Sequence, residues 1–132
     1  MIGVDTNILV RFLVNDDLVQ AQRVRSFFRK VEEEGDTLFI SDPVMLELLY
    51  VLDSVYGYNR MEILGALESM LSVGVFIFEN HDLLADLVVK GRNSTVELED
   101  LFIGIIARHA GCSATITYDK KAAGSKLFTL LR

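Results

Sequence analysis

The hydrophobic residues of this chain follow two patterns that alternate along its length. Short apolar runs predict β-strands, which are expected at Met1–Val4, Thr37–Ile40, Val75–Phe78, Ala114–Thr117 and Leu127–Leu131. Longer segments lie between them, with apolar residues three and four positions apart. Val24, Phe27, Phe28 and Val31 show this spacing, which predicts a helix.

Local start and stop signals bound the predicted helices. Pro43 suits the first position of a helix, and Gly35 and Gly57 stand where helical segments end. The helices are expected over about Thr6–Val14, Leu18–Glu34, Asp42–Tyr56, Asn59–Ser72, Asn80–Lys90 and Ser94–Ala110, with a helical turn at Ala122–Ala123. Strands that alternate with helices predict an α/β fold with a mainly parallel sheet. Ligand sites in such sheets form beyond the carboxyl ends of the strands.

Length and composition narrow the class of protein. A chain of 132 residues without repeats or linkers is expected to form a single domain over residues 1–132. The lone Cys112 excludes an internal disulfide and a cysteine-based zinc site, and His81 and His109 form no ligand pair. Neither a signal peptide nor a membrane-spanning stretch is visible, so we expect a soluble cytoplasmic protein.

The charge balance is acidic. Thirteen basic residues against nineteen acidic ones give a formal charge of −6 at pH 7. This balance argues against a protein that binds nucleic acid through bulk positive charge. It is consistent with a solvated acidic face, with a cation site, or with both.

Two aspartates stand directly after predicted strands. Asp5 follows the first strand and Asp119 follows the fourth, and each precedes a helical segment. A helix N-cap would explain either residue, because aspartate is a preferred cap. A functional site would also explain both, since sites form at the carboxyl ends of parallel strands.

Two more carboxylates lie in apolar helices. Glu47 is the only charged residue between Pro43 and Leu52, in a helix that we expect to be buried. It would bind a cation, pair in a salt bridge or stand at the edge of the helix, because a lone buried carboxylate is costly. Asp100 heads an apolar run in which Gly104, one turn further on, would let a neighbouring element approach closely. The alternative role for Asp100 is to pair with a buried arginine.

Glu97 fits two roles. It lies three residues before Asp100, on the same side of the predicted helix. It also completes a capping box with Ser94, in which the two side chains would satisfy each other's backbone amides. The sequence favours neither role.

A pocket shared by several carboxylates needs a compensating charge, because the groups cannot all ionise without one. Mg²⁺ or Mn²⁺, which prefer oxygen ligands, would supply that charge. Such an ion also activates water and stabilises the charge that develops on a phosphodiester. The acids therefore predict a metal-dependent hydrolytic site.

Taken in order, these motifs resemble those of PIN-domain ribonucleases, and most of all the VapC-type toxins of toxin–antitoxin modules. The resemblance covers essentially the whole chain and is carried by Val4-Asp5-Thr6-Asn7, Glu47, Glu97-x-x-Asp100 and Thr117-Tyr118-Asp119-Lys120-Lys121. It implies a three-layer α/β/α domain with five strands in the order 3-2-1-4-5, which would bring Asp5 and Asp119 together. It also implies Mg²⁺- or Mn²⁺-dependent endonucleolytic cleavage of RNA.

The resemblance assigns catalytic positions to four acids, Asp5, Glu47, Asp100 and Asp119. Asp5 and Asp100 would ligate the metal ion, and Asp119 would support the site or a second ion. Glu47 would orient or deprotonate the attacking water. Glu97 stands where many members carry aspartate and would be a further ligand. In-line attack would leave a 5′-phosphate and a 3′-hydroxyl.

Other residues would support this site or contact RNA. Asn7 and Thr117 match polar positions that orient carboxylates or water. Arg11, Lys120 and Lys121 are candidate contacts to the RNA backbone. The alternative for these three is a solvated surface of mixed charge.

The resemblance also implies protein partners. Members are typically homodimers and are held inactive by a cognate antitoxin, often through a basic side chain in the acidic pocket. An apolar group on the middle helices would provide such a contact or belong to the core: Leu46, Leu49, Tyr50, Tyr56, Tyr58 and Met61. No membrane contact is expected.

Other functions are weighed against this one. Two alternatives keep the fold: a stand-alone PIN nuclease in RNA processing and a non-catalytic PIN-like binding module. No catalytic acid is missing from the sequence, which argues against the binding module. An aspartyl-nucleophile phosphatase would need a second aspartate two positions after Asp5, where Asn7 stands.

Overall fold

Six α-helices and five short strands follow the order that the hydrophobic pattern predicts. The computed structural model describes residues 1–132. The helices are α1 (Thr6–Leu13), α2 (Leu18–Glu33), α3 (Asp42–Ser54), α4 (Arg60–Leu71), α5 (His81–Arg92) and α6 (Leu98–His109), and the strands are β1 (Ile2–Gly3), β2 (Leu38–Ile40), β3 (Phe76–Phe78), β4 (Thr115–Thr117) and β5 (Phe128–Leu130). A 3₁₀ turn at Ala122–Gly124 precedes β5. The predicted α/β class is confirmed.

The strands pair in parallel, as predicted, but they form two hydrogen-bonded sheets instead of one. β2 lies between β1 and β3, with Leu38 opposite Ile2, and β4 pairs with β5, with Thr115 opposite Phe128. The predicted order 3-2-1-4-5 is thus correct within each sheet, whereas no hydrogen-bonded pairing joins β1 to β4. β1 has only two residues, and the amides of Ile2 and Val4 both donate to the β2 segment.

The chain divides into two compact units. The first, Met1–His81, contains α1 to α4 and the sheet β1-β2-β3, and the second, Asp82–Arg132, contains α5, α6 and the β4-β5 pair. A single domain over residues 1–132 stays a prediction. None of the six helices has the length and apolar character that crossing a bilayer requires.

Local capping interactions set helix boundaries in the first unit. The side chains of Asp17 and Asn59 accept hydrogen bonds from the amides of Gln20 and Glu62, at 3.0 and 2.8 Å. The Glu62 carboxylate in turn accepts from the Asn59 amide, which completes a capping box. Gly35 adopts a φ of 72° where α2 ends, a conformation that favours glycine.

An aromatic cluster fills the core of the first unit. Phe28 of α2 contacts Phe12 of α1 and Phe76 of β3, with ring centroids 5.1 and 5.4 Å apart. The apolar stripe predicted for α2 is confirmed by the burial of Val24 and Phe28, whereas Phe27 is 43% exposed. Such ring pairs contribute about 0.5–1.5 kcal/mol each beyond the area they bury, so the cluster helps to anchor α1 and α2 on the sheet.

Close packing at Gly104 defines the second unit. A Cβ atom on this α6 residue would lie 2.8 Å from the Phe128 ring and 3.0 Å from the Leu127 Cβ. The predicted close approach of a neighbouring element is therefore confirmed, and the element is β5. Four residues further along α6, Arg108 donates to the carbonyls of Ser113 and Lys126, both at 3.2 Å.

We predict that Gly104→Ala destabilises the protein. Overpacking against a buried ring costs about 1–3 kcal/mol, which outweighs the roughly 1 kcal/mol that alanine gains over glycine in a helix. Gly65→Ala on α4 is the matched control, because nothing lies within 4 Å of a Cβ there. Thermal unfolding should therefore show a lower Tm for Gly104→Ala and an equal or higher one for Gly65→Ala. Equal Tm values for the two variants would contradict the packing argument.

Candidate active site

Asp5 caps helix α1 in the first unit. It follows β1 in an extended conformation, and its Oδ1 accepts a hydrogen bond from the Thr6 amide at 2.7 Å. The N-cap role weighed from the sequence is therefore present. The residue is exposed, and Oδ2 makes no hydrogen bond or ion pair. Capping thus leaves one carboxylate oxygen of Asp5 able to bind a ligand.

Asn7 and Arg11 line a cleft between α1 and α2. The cleft has a volume of about 500 Å³, and Gln20 and Arg23 of α2 form part of its other wall. Arg11 donates to Asp16 Oδ1 at 3.0 Å and to the Tyr56 hydroxyl at 3.5 Å. The hydrogen bond to Tyr56 and, after it, the charge of Asp16 raise the pKa of the Arg11 guanidinium. Arg11 thus has partners within its own unit, and its contact with RNA stays a prediction.

The predicted burial of Glu47 is wrong, because its side chain is exposed on α3, which fits the alternative of a carboxylate at the helix edge. The helix buries Met45, Leu48 and Leu52, which form one face. Glu47 lies on the opposite face together with Tyr50, which is 59% exposed. The sequence is apolar around most of the helix, but only one face of α3 is covered within its own unit. Glu47 needs no salt bridge here and forms none.

Asp100 is half-buried and unpaired in the first turn of α6. Its carboxylate makes no hydrogen bond and no ion pair, so the alternative of a buried arginine partner is not realised. Burial raises the pKa of Asp100, and the negative charges of Asp119 and Glu97 raise it further. The ionised form of this group is therefore disfavoured by its surroundings.

Glu97 occupies the N-cap position of α6, but its side chain makes no cap hydrogen bond. The predicted capping box with Ser94 is not formed, because the helix begins at Leu98 instead of Ser94. The Ser94 hydroxyl accepts from the Val96 amide within the preceding loop, at 3.1 Å. The Glu97 carboxylate lies 3.7 Å from the Lys121 ammonium, and both side chains are exposed. An exposed pair of this kind contributes little stability.

Asp119 follows β4 and caps the 3₁₀ turn. Its Oδ1 accepts from the amides of Lys121 and Ala122, at 2.9 and 3.3 Å. The amide of Asp119 donates to the Thr117 hydroxyl at 3.0 Å, so Thr117 holds the backbone from which Asp119 projects. As at Asp5, the second carboxylate oxygen has no hydrogen bond.

A further group of polar residues, which the sequence did not single out as a site, lies at the ends of β2 and β3. Asn80 donates to Asp42 Oδ2 at 2.6 Å, and the Asp42 amide donates to Glu79 Oε1 at 2.8 Å. Burial raises the pKa of Asp42, whose Oδ1 has no partner. The sequence does carry a signal for this group, because Asp42 and Glu79 come just after strands, as Asp5 and Asp119 do. These contacts join the two strand ends.

The predicted acids thus fall in both units of the chain. Glu97, Asp100 and Asp119 influence one another within the second unit, while Asp5 and Glu47 belong to the first. Nowhere do three or more Asp, Glu, His or Cys side chains lie close enough to share a metal ion. A common pocket for all five acids stays a prediction.

The chemistry of Asp100 and its neighbours fits a hard divalent cation. The donors are all carboxylate oxygens, which Mg²⁺ and Mn²⁺ prefer. Asp100 is half-buried among like charges without a counter-ion, which is the environment that a bound cation relieves.

Comparison with known proteins gives two matches. The family model of the PIN domain matches residues 2–124. A VapC ribonuclease from Aquifex aeolicus (strain VF5) is 21% identical over 117 residues, which is 89% of this chain and 86% of that protein. No solved structure matches the chain significantly. The family match begins in β1, ends in the 3₁₀ turn, and includes every predicted acidic residue.

We predict that Asp100→Asn stabilises the metal-free protein. Removing a half-buried charge without a partner is worth about 1 kcal/mol, or about 4 °C in Tm for a domain of this size. Asp53→Asn is the control, because Asp53 is exposed on α3. Thermal unfolding with chelator at pH 7 should show the gain for Asp100→Asn alone.

The stability gain should also depend on pH. The pKa of Asp100 is raised in the folded state, so the ionised group destabilises the fold above that pKa. As the pH falls through it, wild-type Asp100 takes up a proton and the penalty disappears. The Tm difference between wild type and Asp100→Asn should therefore shrink in acid. A difference that grows in acid would show that burial and like charges are not its cause.

Proposed function

Because the chain belongs to the PIN domain family, we propose that it is a divalent-metal-dependent endoribonuclease. The observation that carries this proposal is Asp100, a half-buried carboxylate without a counter-ion beside Asp119 and Glu97. The similarity to a VapC ribonuclease supports RNA as the substrate. The reaction would be hydrolysis of a phosphodiester bond.

Asp5, Asp100 and Asp119 would hold the ion, with Glu97 as a further ligand. When bound, Mg²⁺ or Mn²⁺ would neutralise these carboxylates, lower the pKa of water and stabilise the charge that develops on phosphorus. Asp5 and Asp119 each use one oxygen for a backbone cap. The caps therefore fix the direction of both side chains before any ligand arrives.

The other residues would act on water and on the RNA. Glu47 is solvent-exposed, so it can orient the attacking water or accept its proton, and the product ends would be a 5′-phosphate and a 3′-hydroxyl. Thr117 holds the backbone of Asp119. Asn7 would orient a carboxylate or water. Lys120 would contact the RNA backbone.

Protein partners belong to the same proposal. The chain would be a homodimer and the toxin of a type II toxin–antitoxin module, with a cognate antitoxin as its inhibitor. Tyr50 and Met61 are 59% and 60% exposed on α3 and α4, which supports a contact there because large exposed apolar side chains mark partner sites. Leu49, placed in the same apolar group from the sequence, is buried core.

Cleavage of a panel of RNAs with Mg²⁺, with Mn²⁺ or with chelator tests the activity. We expect cleavage by wild type with either ion and at least about a 100-fold loss in Asp5→Asn and Asp100→Asn. The control Asp53→Asn should match wild type. Full metal-dependent activity in Asp5→Asn would overturn the assignment. A wild type that binds RNA and cuts none with any ion would instead be a binding module.

Metal binding should be visible without activity. A ligand at 100 times its Kd stabilises the folded state by about 2.7 kcal/mol, so Mn²⁺ should raise the Tm of wild type. Asp100→Asn should lose most of that rise although it starts from a higher Tm in chelator. Equal Tm rises in the two proteins would mean that the ion binds elsewhere.

The dimer contact can be tested by charge substitution. Tyr50→Glu and Met61→Glu should weaken self-association at least about tenfold, because a partner surface cannot bury the added charge without a counter-ion. Val89→Glu on α5 is the control, since Val89 is 63% exposed. Sedimentation at micromolar concentration measures the effect. A monomeric wild type would contradict the homodimer.

A further inference from the structure

The charges of this chain are strongly segregated along its length. All nineteen acidic residues lie within residues 1–119, together with nine of the thirteen basic ones, which leaves that part at −10. The segment after Asp119 contains Lys120, Lys121, Lys126 and Arg132 and no acidic residue, so its side chains carry +4. An asymmetry of this kind indicates a surface for a polyanion, even in a chain that is acidic overall.

Two of the four cations flank an open cleft on β5. The cleft has a volume of about 650 Å³, and Lys120 and Arg132 line it together with Gly124, Thr129 and Leu130. Lys120 and Arg132 make no ion pair and no side-chain hydrogen bond within the chain. By contrast, Lys121 lies near Glu97 at 3.7 Å and does not line the cleft. The cleft therefore presents two cationic side chains that pair with no acidic side chain of the protein.

The free edge of β5 adds a backbone donor to this cleft. β5 has β4 as its one strand neighbour. The Leu127 carbonyl and the Leu131 amide bond to the β4 segment. Because hydrogen-bonding groups alternate sides along a strand, the amide of Leu130 faces away from β4. Backbone amides, hydroxyls such as that of Thr129, and cationic side chains are the groups that contact phosphates in nucleic-acid complexes.

The cleft is polar where it is open. Its exposed groups are Lys120, Gly124, Thr129 and Arg132, whereas the ring of Phe128 is 8% exposed and packs against α6. A protein partner is usually anchored by large apolar or aromatic side chains in a dry pocket, and this cleft offers none. Separated cations along an open groove suit an extended polyanion better.

We infer that the cleft lined by Lys120 and Arg132 binds the sugar-phosphate backbone of a single-stranded RNA segment beside Asp119. This rests on the proposed ribonuclease function. Lys120 is the chain neighbour of Asp119, so the cleft begins at the residue that follows a predicted catalytic acid. Arg132, at the far end of β5, would be a positioning residue for the flanking nucleotides.

Three variants that each remove one positive charge test this site. Lys120→Gln and Arg132→Gln change the cleft, and Lys126→Gln is the matched control, because it lies in the same segment and its side chain does not line the cleft. Each is made in the Asp100→Asn background, so that the RNA survives titration, and all three positions are exposed. The measurement is RNA affinity as a function of salt concentration.

The slope of log K against log salt is negative. We expect Lys120→Gln and Arg132→Gln each to make it less steep by about 0.7, the contribution of one phosphate contact with a single strand. Lys126→Gln should keep the wild-type slope. In the active background, Arg132→Gln should raise KM severalfold with kcat within about twofold. Equal changes in all three variants would indicate bulk charge and overturn the site.

Unchanged slopes in Lys120→Gln and Arg132→Gln would also overturn the site and would favour an acidic protein segment as its ligand. Wild-type cleavage of the RNA panel is measured first, because it tests the nuclease function separately from the cleft. If wild type cleaves and the slopes do not change, the cleft assignment fails and the nuclease stands. If wild type neither cleaves nor binds any RNA, the proposed function fails and the cleft assignment fails with it.

Discussion

The uncompensated charge of Asp100 is the constraint on which the second unit depends. A half-buried carboxylate beside Asp119 and Glu97 costs stability, and the surrounding packing must be firm enough to hold it. Gly104, one turn along α6, lets β5 approach to contact distance. Arg108 of the same helix donates to the carbonyls of Ser113 and Lys126, which come just before β4 and β5. The strand end that carries Asp119 is thus fixed near the helix that carries Asp100.

Net charge alone is a poor guide to what this chain can bind. The value of −6 argues against attraction of RNA by bulk charge. It is the sum of a segment of +4 and a remainder of −10, and a nuclease needs both signs. Carboxylates are required where a cation binds, and free cations are required where phosphates bind. The short distance along the chain between Asp119 and Lys120 brings the two requirements together.

The features that the sequence predicts well are local ones. Helix positions follow from apolar spacing, and the caps that the structure shows at Asp17 and Asn59 join residues only three positions apart. Two failures at the site have different origins, one tertiary and one local. Glu47 is exposed because one face of α3 is not covered within its own unit, and α6 begins at Leu98 because Ser94 bonds within its own loop. No spacing rule reports which face of an apolar helix is covered.

The same charge that favours a metal ion at Asp100 and Asp119 also favours any other cation, including a basic side chain of a partner protein. Two cations that need the same carboxylates cannot occupy them together, so binding of one must weaken binding of the other by the same factor. Inhibition by a basic segment would therefore be strongest where the ion is scarce. The metal-free site already bears the cost of placing like charges close together. Such a partner would therefore stabilise the fold as well as block the site.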